Sequence, residues 1–176
     1  MLGPIRTIFC DWSINKGNPK ARLVLASFRI ASLAAGSDGG RSLTWVLMLP
    51  YLIAYRVGVE WILGIELPYK LKVGRNLRLF HGCALVVNDH CVLGTNVTLR
   101  HSTTIGNKAA GGGCPVIGDN VDIGSNSVIL GDISICQGSI IGAGAVITKS
   151  VEQPSLVVGN PGRVIRVLGT SSQHRG

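Results

Sequence analysis

The sequence predicts a mainly β fold, a coil of short parallel strands preceded by a short α-helical region, on three observations. Isoleucine recurs every six residues at Ile117, Ile123, Ile129, Ile135, Ile141 and Ile147. Glycine numbers 24 while aromatic residues are only 5%, so the core has to be built from small and branched aliphatic side chains. After Pro68 the pattern changes from long apolar-periodic runs to β-branched pieces punctuated by Gly and Asn.

Residues 1–65 read as the helical region. Apolar positions are periodic over Ala21 to Ala34, a Gly/Ser/Asp loop follows at Ala35 to Gly40, and a second run extends from Ser42 to Leu63. Pro50 is expected to break or kink that second run, because it removes a helical N–H and its ring crowds the preceding turn. The apolar stretch Leu43 to Tyr55 is shorter than the roughly 20 residues that span a bilayer. The opening MLGPIRTIFCDWS is too short in apolar residues for a secretory signal, which points to a cytoplasmic protein.

Residues 66–168 read as the β domain. The hexad series carries a second set four residues on, Val121, Ser127, Ile133, Ser139, Ala145 and Val151, where smaller side chains alternate with aliphatic ones. No helix keeps one face inward at that period. Six residues per flat side and three sides per turn give a triangular coil in which each aliphatic residue stacks on the one a coil below. An upstream series, Val73, Leu79, Leu85, Cys91, Val97 and Thr103, has the same period. The 14-residue step from Thr103 to Ile117 is expected to break the phase at a loop of about 107–115. Residues 169–176 form a tail.

A net charge of +8 favours an anionic partner, and a phosphate-bearing ligand suits it better than nucleic acid, for which no recognition signature is present. Lys16, Lys20, Arg22 and Arg29 keep a loose contact with the inner face of a membrane open. Five cysteines without a C-x-x-C pair argue against a disulfide framework and against a zinc site, so no metal is expected.

The segments GIELPYKLKVGRNLRLFHG, VTLRHSTTIGNK, CPVIGDNVDIGSNSVILGDI, IIGAGAVITKSV and VVGNPGRVI, in this order, resemble the hexapeptide-repeat acyltransferases. Within that family they are most similar to serine acetyltransferases and to the exopolysaccharide O-acetyltransferases of the colanic-acid type. The resemblance implies a left-handed parallel β-helix, acetyl-CoA as acyl donor, and a homotrimer with the active site between subunits. It also implies His81 as general base with Glu66, fifteen residues earlier, as its carboxylate. An alcohol is a weak nucleophile near neutral pH, so a neutral imidazole has to take its proton as it attacks the thioester. A carboxylate on the other ring nitrogen would fix the tautomer.

The same resemblance places the acetyl-CoA arm along Gly106, Asn107, Ser125 and Ala143, and the nucleotide end near Lys149 and Arg163. His101 is expected to line the acceptor site with Phe80 and Cys114. Serine acetyltransferases carry Asp-His at the catalytic corner and Asp-Arg-His-Pro at the loop exit, where this chain has Phe80-His81 and Gly112-Gly113-Cys114-Pro115. Losing the partners of both ends of a zwitterion makes free serine a poor fit. The expectation is therefore a sugar or polysaccharide-precursor hydroxyl, with serine as the alternative and a non-catalytic repeat scaffold as the second.

Overall fold

The structure, a computed structural model, describes residues 3–36 and 43–169. Most of the Ala35 to Gly40 loop, His174 and the tail beyond Gly169 lie outside the described residues.

The helical region holds α1 (Pro4–Ile8), α2 (Pro19–Ala35) and α3 (Leu43–Tyr55), and α3 runs directly into a π-helical segment, Arg56–Ile62. Asn18 caps α2 by accepting a hydrogen bond from the Ala21 N–H at 3.0 Å, with Pro19 at the first helical position, where a missing N–H costs nothing. Pro50 lies inside α3 and does not end it, against the expectation of a break. Both Pro50 and Val46 are exposed, so the Val46 carbonyl that loses its helical donor faces solvent rather than a dry core.

The strands are β1 (Ile65–Glu66), β2 (Lys72–Val73), β3 (Arg78–Phe80), β4 (Leu85–Val87), β5 (Val92–Leu93), β6 (Thr98–Arg100), β7 (Thr104–Gly106) and β8 (Val116–Ile117). They continue as β9 (Asp122–Ile123), β10 (Val128–Leu130), β11 (Ser134–Ile135), β12 (Ile140–Ile141), β13 (Val146–Ile147), β14 (Ser155–Val158) and β15 (Arg163–Val167). Every third strand pairs in parallel, giving three faces ordered β1-β4-β7-β10-β13, β2-β5-β8-β11 and β3-β6-β9-β12-β14. This is the expected parallel β-helix. Strand β15 turns back antiparallel on β14 and closes the last coil.

Register fixes the coil length. Asp122 pairs with Ile140 and Val128 with Val146, so the regular coil is the expected eighteen residues. Arg78 pairs with Thr98 and Ile65 with Leu85, so the first coil holds twenty. Leu79 therefore continues inward as Val87, and Leu85, Cys91, Val97 and Thr103 occupy the flanking inward position used later by Val121, Ser127 and Ser139.

That corrects the expected phase break. The slip lies at the corner after β3, where two residues are added, and not at the 107–115 loop. The loop adds six residues, and Ile105 and Ile117 keep the same phase.

Within the prism Leu93, Leu99, Ile105, Ile117, Ile123, Ile129, Ile135, Ile141 and Ile147 form a buried column. Each inward aliphatic side chain is worth about 1.5–3 kcal/mol of transfer free energy. Corners require a left-handed backbone, and one edge supplies it with asparagine: Asn76, Asn96 and Asn120 lie at φ of 58–59°. Their side chains form a ladder, Asn76 Nδ2 donating to Asn96 Oδ1 at 2.8 Å and Asn96 Nδ2 to Asn120 Oδ1 at 2.9 Å.

The N-terminal region closes the other end. In the first coil, Leu77 and Leu79 would leave edge amides and carbonyls unpaired. Asp11 Oδ1 and Asn15 Oδ1 accept from their N–H groups at 2.8 and 3.0 Å, while Asn15 Nδ2 and Asn18 Nδ2 donate to their carbonyls at 2.8 and 3.1 Å. Arg29 braces this row with a buried two-pronged contact to Asp11 and a bond from Nη1 to the Val73 carbonyl. Arg29 is therefore a structural cation and leaves the expected basic surface.

Candidate active site

The corner between β3 and β4 carries His81, Gly82 and Ala84 at φ of 64°, 69° and 54°. Histidine is among the residues that accept such a backbone, and the two extra residues of the first coil leave the His81 side chain exposed at the prism edge. Pairing of Phe80 with Arg100 sets His81 beside His101 of the next coil. The two rings meet edge to face with centroids 5.9 Å apart. His101 Nδ1 is buried without a hydrogen-bond partner among the described residues.

The same edge continues upward. Asn126 N–H donates to the His101 carbonyl at 3.2 Å and Gly144 N–H to the Ser125 carbonyl at 2.8 Å, so His81, His101, Ser125 and Ala143 stack on four successive coils. Gly124 and Gly142 keep this edge narrow: a Cβ on Gly124 would collide with the Ala143 backbone, and one on Gly142 would stand 2.7 Å from Val158 Cγ1. At the last coils lies a cavity of about 500 Å³ lined in part by Thr148, Lys149, Ser150, Pro161, Gly162 and Arg163; Ala143 precedes β13 and Lys149 follows it, so the two lie on opposite edges of that face. The structure thus brings Lys149 and Arg163 to one cavity at the last coils.

Gly106, Asn107 and Cys114 lie elsewhere. His81 precedes β4 and Asn88 follows it, so the two mark opposite edges of one face. Asn88, which sequence reasoning missed, gathers all three. Its Oδ1 accepts from Cys114 Sγ at 3.4 Å, its Nδ2 donates to Asn107 Oδ1 at 3.4 Å, and its Cβ lies 3.4 Å from where a Cβ on Gly106 would stand. An isolated Asn after a strand has the same appearance as the corner asparagines, so no sequence signal sets it apart. Cys91 lies beside Cys114, and burial above all pushes its thiol up to about 12.

Glu66 is exposed on β1 beside Val86, and among the described residues no hydrogen bond or ion pair joins it to His81. Phe80 is 39% exposed, yet its ring is not bare: the guanidinium carbons of Arg100 and Arg78 lie 5.4 and 5.8 Å from its centroid. Arg100 also forms an ion pair with Asp122 and donates to the Ile123 carbonyl at 2.9 Å. Lys20 of α2 approaches the same corner, Nζ lying 3.6 Å from Cys83 Sγ. Among the described residues no cluster of three or more His, Cys, Asp or Glu side chains could hold a metal ion.

A parallel β-helix with a histidine on an outer edge and a cation-lined cavity several coils away defines the class of hexapeptide-repeat transferases. Residues 114–149 match the family model described as bacterial transferase hexapeptide (six repeats). The chain is 34% identical over 155 residues to "Putative colanic acid biosynthesis acetyltransferase WcaB" of Escherichia coli strain K12, covering 88% of this chain and 96% of that one. It is 39% identical over 118 residues to a serine acetyltransferase of Staphylococcus epidermidis, covering 64% of this chain and 55% of that one.

Among solved structures, soybean serine acetyltransferase apoenzyme superposes with a TM-score of 0.78 at 26% identity, over 92% of this chain and 69% of that one. A serine acetyltransferase of Brucella abortus strain S19 in complex with coenzyme A gives 0.76 at 26% identity, over 95% and 69%. The chain belongs to this family of hexapeptide-repeat acetyltransferases.

Proposed function

We propose that this protein transfers an acetyl group from acetyl-CoA to a hydroxyl of a sugar or polysaccharide precursor, with His81 as the general base. The observation that carries the proposal is the single edge on which His81, His101, Ser125 and Ala143 stack, in a coil whose last turns hold the cavity of Lys149 and Arg163. At about 4.8 Å per coil, roughly 14 Å separates the His81 level from the Ala143 level, room for an extended pantetheine arm between a thioester and a phosphate-bearing nucleotide.

In the transfer the His81 imidazole takes the proton of the acceptor hydroxyl as its oxygen attacks the thioester carbon. The tetrahedral oxyanion collapses, the C–S bond breaks, and the departing CoA thiolate receives the proton. A backbone amide of this edge would serve as donor to such an oxyanion. Glu66 would orient the imidazole after a side-chain movement on substrate binding, since catalytic hydrogen bonds often tighten only in the complex. The arrangement calls for a homotrimer, in which the edge carrying His81 on one subunit faces the Asn88, Asn107 and Cys114 corner of a neighbour. That contact would make one site of the two clusters.

A sugar acceptor is supported by the near full-length similarity to the colanic acid protein and by the aromatic and guanidinium platform of Phe80, Arg78 and Arg100 beside the base. Such a platform stacks on and hydrogen-bonds to a pyranose, and the carboxylate beside it, Asp122, is engaged by Arg100. The serine reading draws on the serine acetyltransferase structures. Free thiol release from acetyl-CoA, measured with serine and with sugar acceptors side by side, separates the two. Efficient turnover of free serine would overturn the sugar reading. Glu66→Gln should slow transfer with the fold intact, and full activity there would end its role beside His81.

A further inference from the structure

We propose that the helical region docks this protein on an anionic lipid bilayer, with the outer face of α3 lying in the plane of the interface. Helix α3 is apolar on both sides. Its inner side buries Leu52 and Tyr55 against the body of the protein, and Val59 continues this contact in the π-helical segment. Its outer side exposes Val46, Leu47, Leu49 and Ile53, with Leu47 at 68%. Trp61 and Ile62 extend the exposed surface at 73% and 75%. A water-facing helix normally carries charge on this side, and α3 carries none.

The length excludes crossing. Thirteen residues of helix rise about 20 Å, short of a hydrocarbon core of about 30 Å. No helix among the described residues is long and apolar enough to cross a membrane. With its inner side held by the core, α3 can only lie on a surface.

Charge selects the surface. Helices α1, α2 and α3 contain no Asp or Glu at all, while Arg6, Lys16 and Lys20 stand exposed on or beside α1 and α2. The Arg56–Glu60 pair neutralises itself, and Arg29 is spent on Asp11. A second copy of the chain brought onto this region would meet it with the same cations, whereas anionic headgroups complement them. An exposed tryptophan, Trp61, just past an apolar helix in a region whose unpaired charges are cationic fits a helix seated at the headgroup level. Lys20 also stands at the His81 corner, so the cationic part of the helical region adjoins the proposed active site. This deepens the proposed function by giving the saccharide acceptor a lipid anchor, although the docking itself requires no acceptor.

The test uses the full chain without acetyl-CoA or acceptor. Co-sedimentation is measured with vesicles of phosphatidylcholine alone and with phosphatidylglycerol added, together with tryptophan quenching by brominated lipids. Binding is expected on the anionic vesicles, falling about fivefold for each of Lys16→Gln and Arg6→Gln. The double substitution Leu47→Asp with Ile53→Asp should lower it by about tenfold or more, with unchanged circular dichroism and hydrodynamic size.

No binding to anionic vesicles would overturn the proposal, as would equal binding by the double variant. A double variant that forms a smaller assembly in lipid-free solution would overturn it too, by showing that a second copy covers the face. Should the double variant not fold, absence of bromolipid quenching in the unmodified protein decides against docking. Efficient turnover of free serine would end the sugar reading and leave the vesicle result standing.

Discussion

At the scale of single residues, His81 owes its position to backbone geometry more than to any partner. Two extra residues turn the first corner through a left-handed backbone and hold the imidazole outward, edge-on to His101. Removing it should leave the coil intact and lower the transfer rate by about 10²–10⁴-fold, the range for a positioned general base, as read from free thiol release by His81→Ala. Cysteine reactivity should divide sharply. Cys83 is exposed, while burial raises the Cys91 thiol so far that it stays protonated and unreactive at pH 8. Mass spectrometry after brief alkylation of the native protein should find Cys83 labelled and Cys91 free.

Among individual elements, the first coil is where structure and sequence expectation part. The hexad reading located every inward isoleucine of the later coils, because a six-residue side leaves one inward phase. It misjudged the slip because Leu79 and Leu85 are both buried and six apart, so periodicity alone cannot see that the register passes from Leu79 to Val87. The site was legible in the same uneven way. His101, Ser125 and Ala143 share a place in the hexad, whereas His81, twenty residues before His101, falls out of it across the slip and was reached only through the resemblance. Asn88 is tied to Cys114 only through a loop whose path leaves no period to read.

The row of Asp11, Asn15 and Asn18 was equally invisible, since three polar residues between two helices look like a turn. Yet Asp11→Ala should destabilise by about 3–5 kcal/mol, since it leaves Arg29 buried without its carboxylate. Urea unfolding followed by circular dichroism measures that loss. A loss below 1 kcal/mol would show that water replaces the contact.

For the whole molecule, one aliphatic column runs through the coils, and damage at its centre should spread to both ends. Ile129→Ala removes a fully buried side chain stacked between Ile105 and Ile147 and should cost about 2–5 kcal/mol, read from the urea midpoint. The transition should stay single and cooperative, because each coil buries its neighbours and both ends are sealed, by the asparagine row at one and β15 at the other.

The edge on which His81, His101, Ser125 and Ala143 stack also works as a ruler graduated in coils. Adding one eighteen-residue turn between His101 and Ser125 would lengthen it by about 4.8 Å without altering any residue of the proposed site. Under the proposed transfer, the distance from thioester to nucleotide along this edge would select the acyl carrier, and counting turns would retune it to a longer or shorter one.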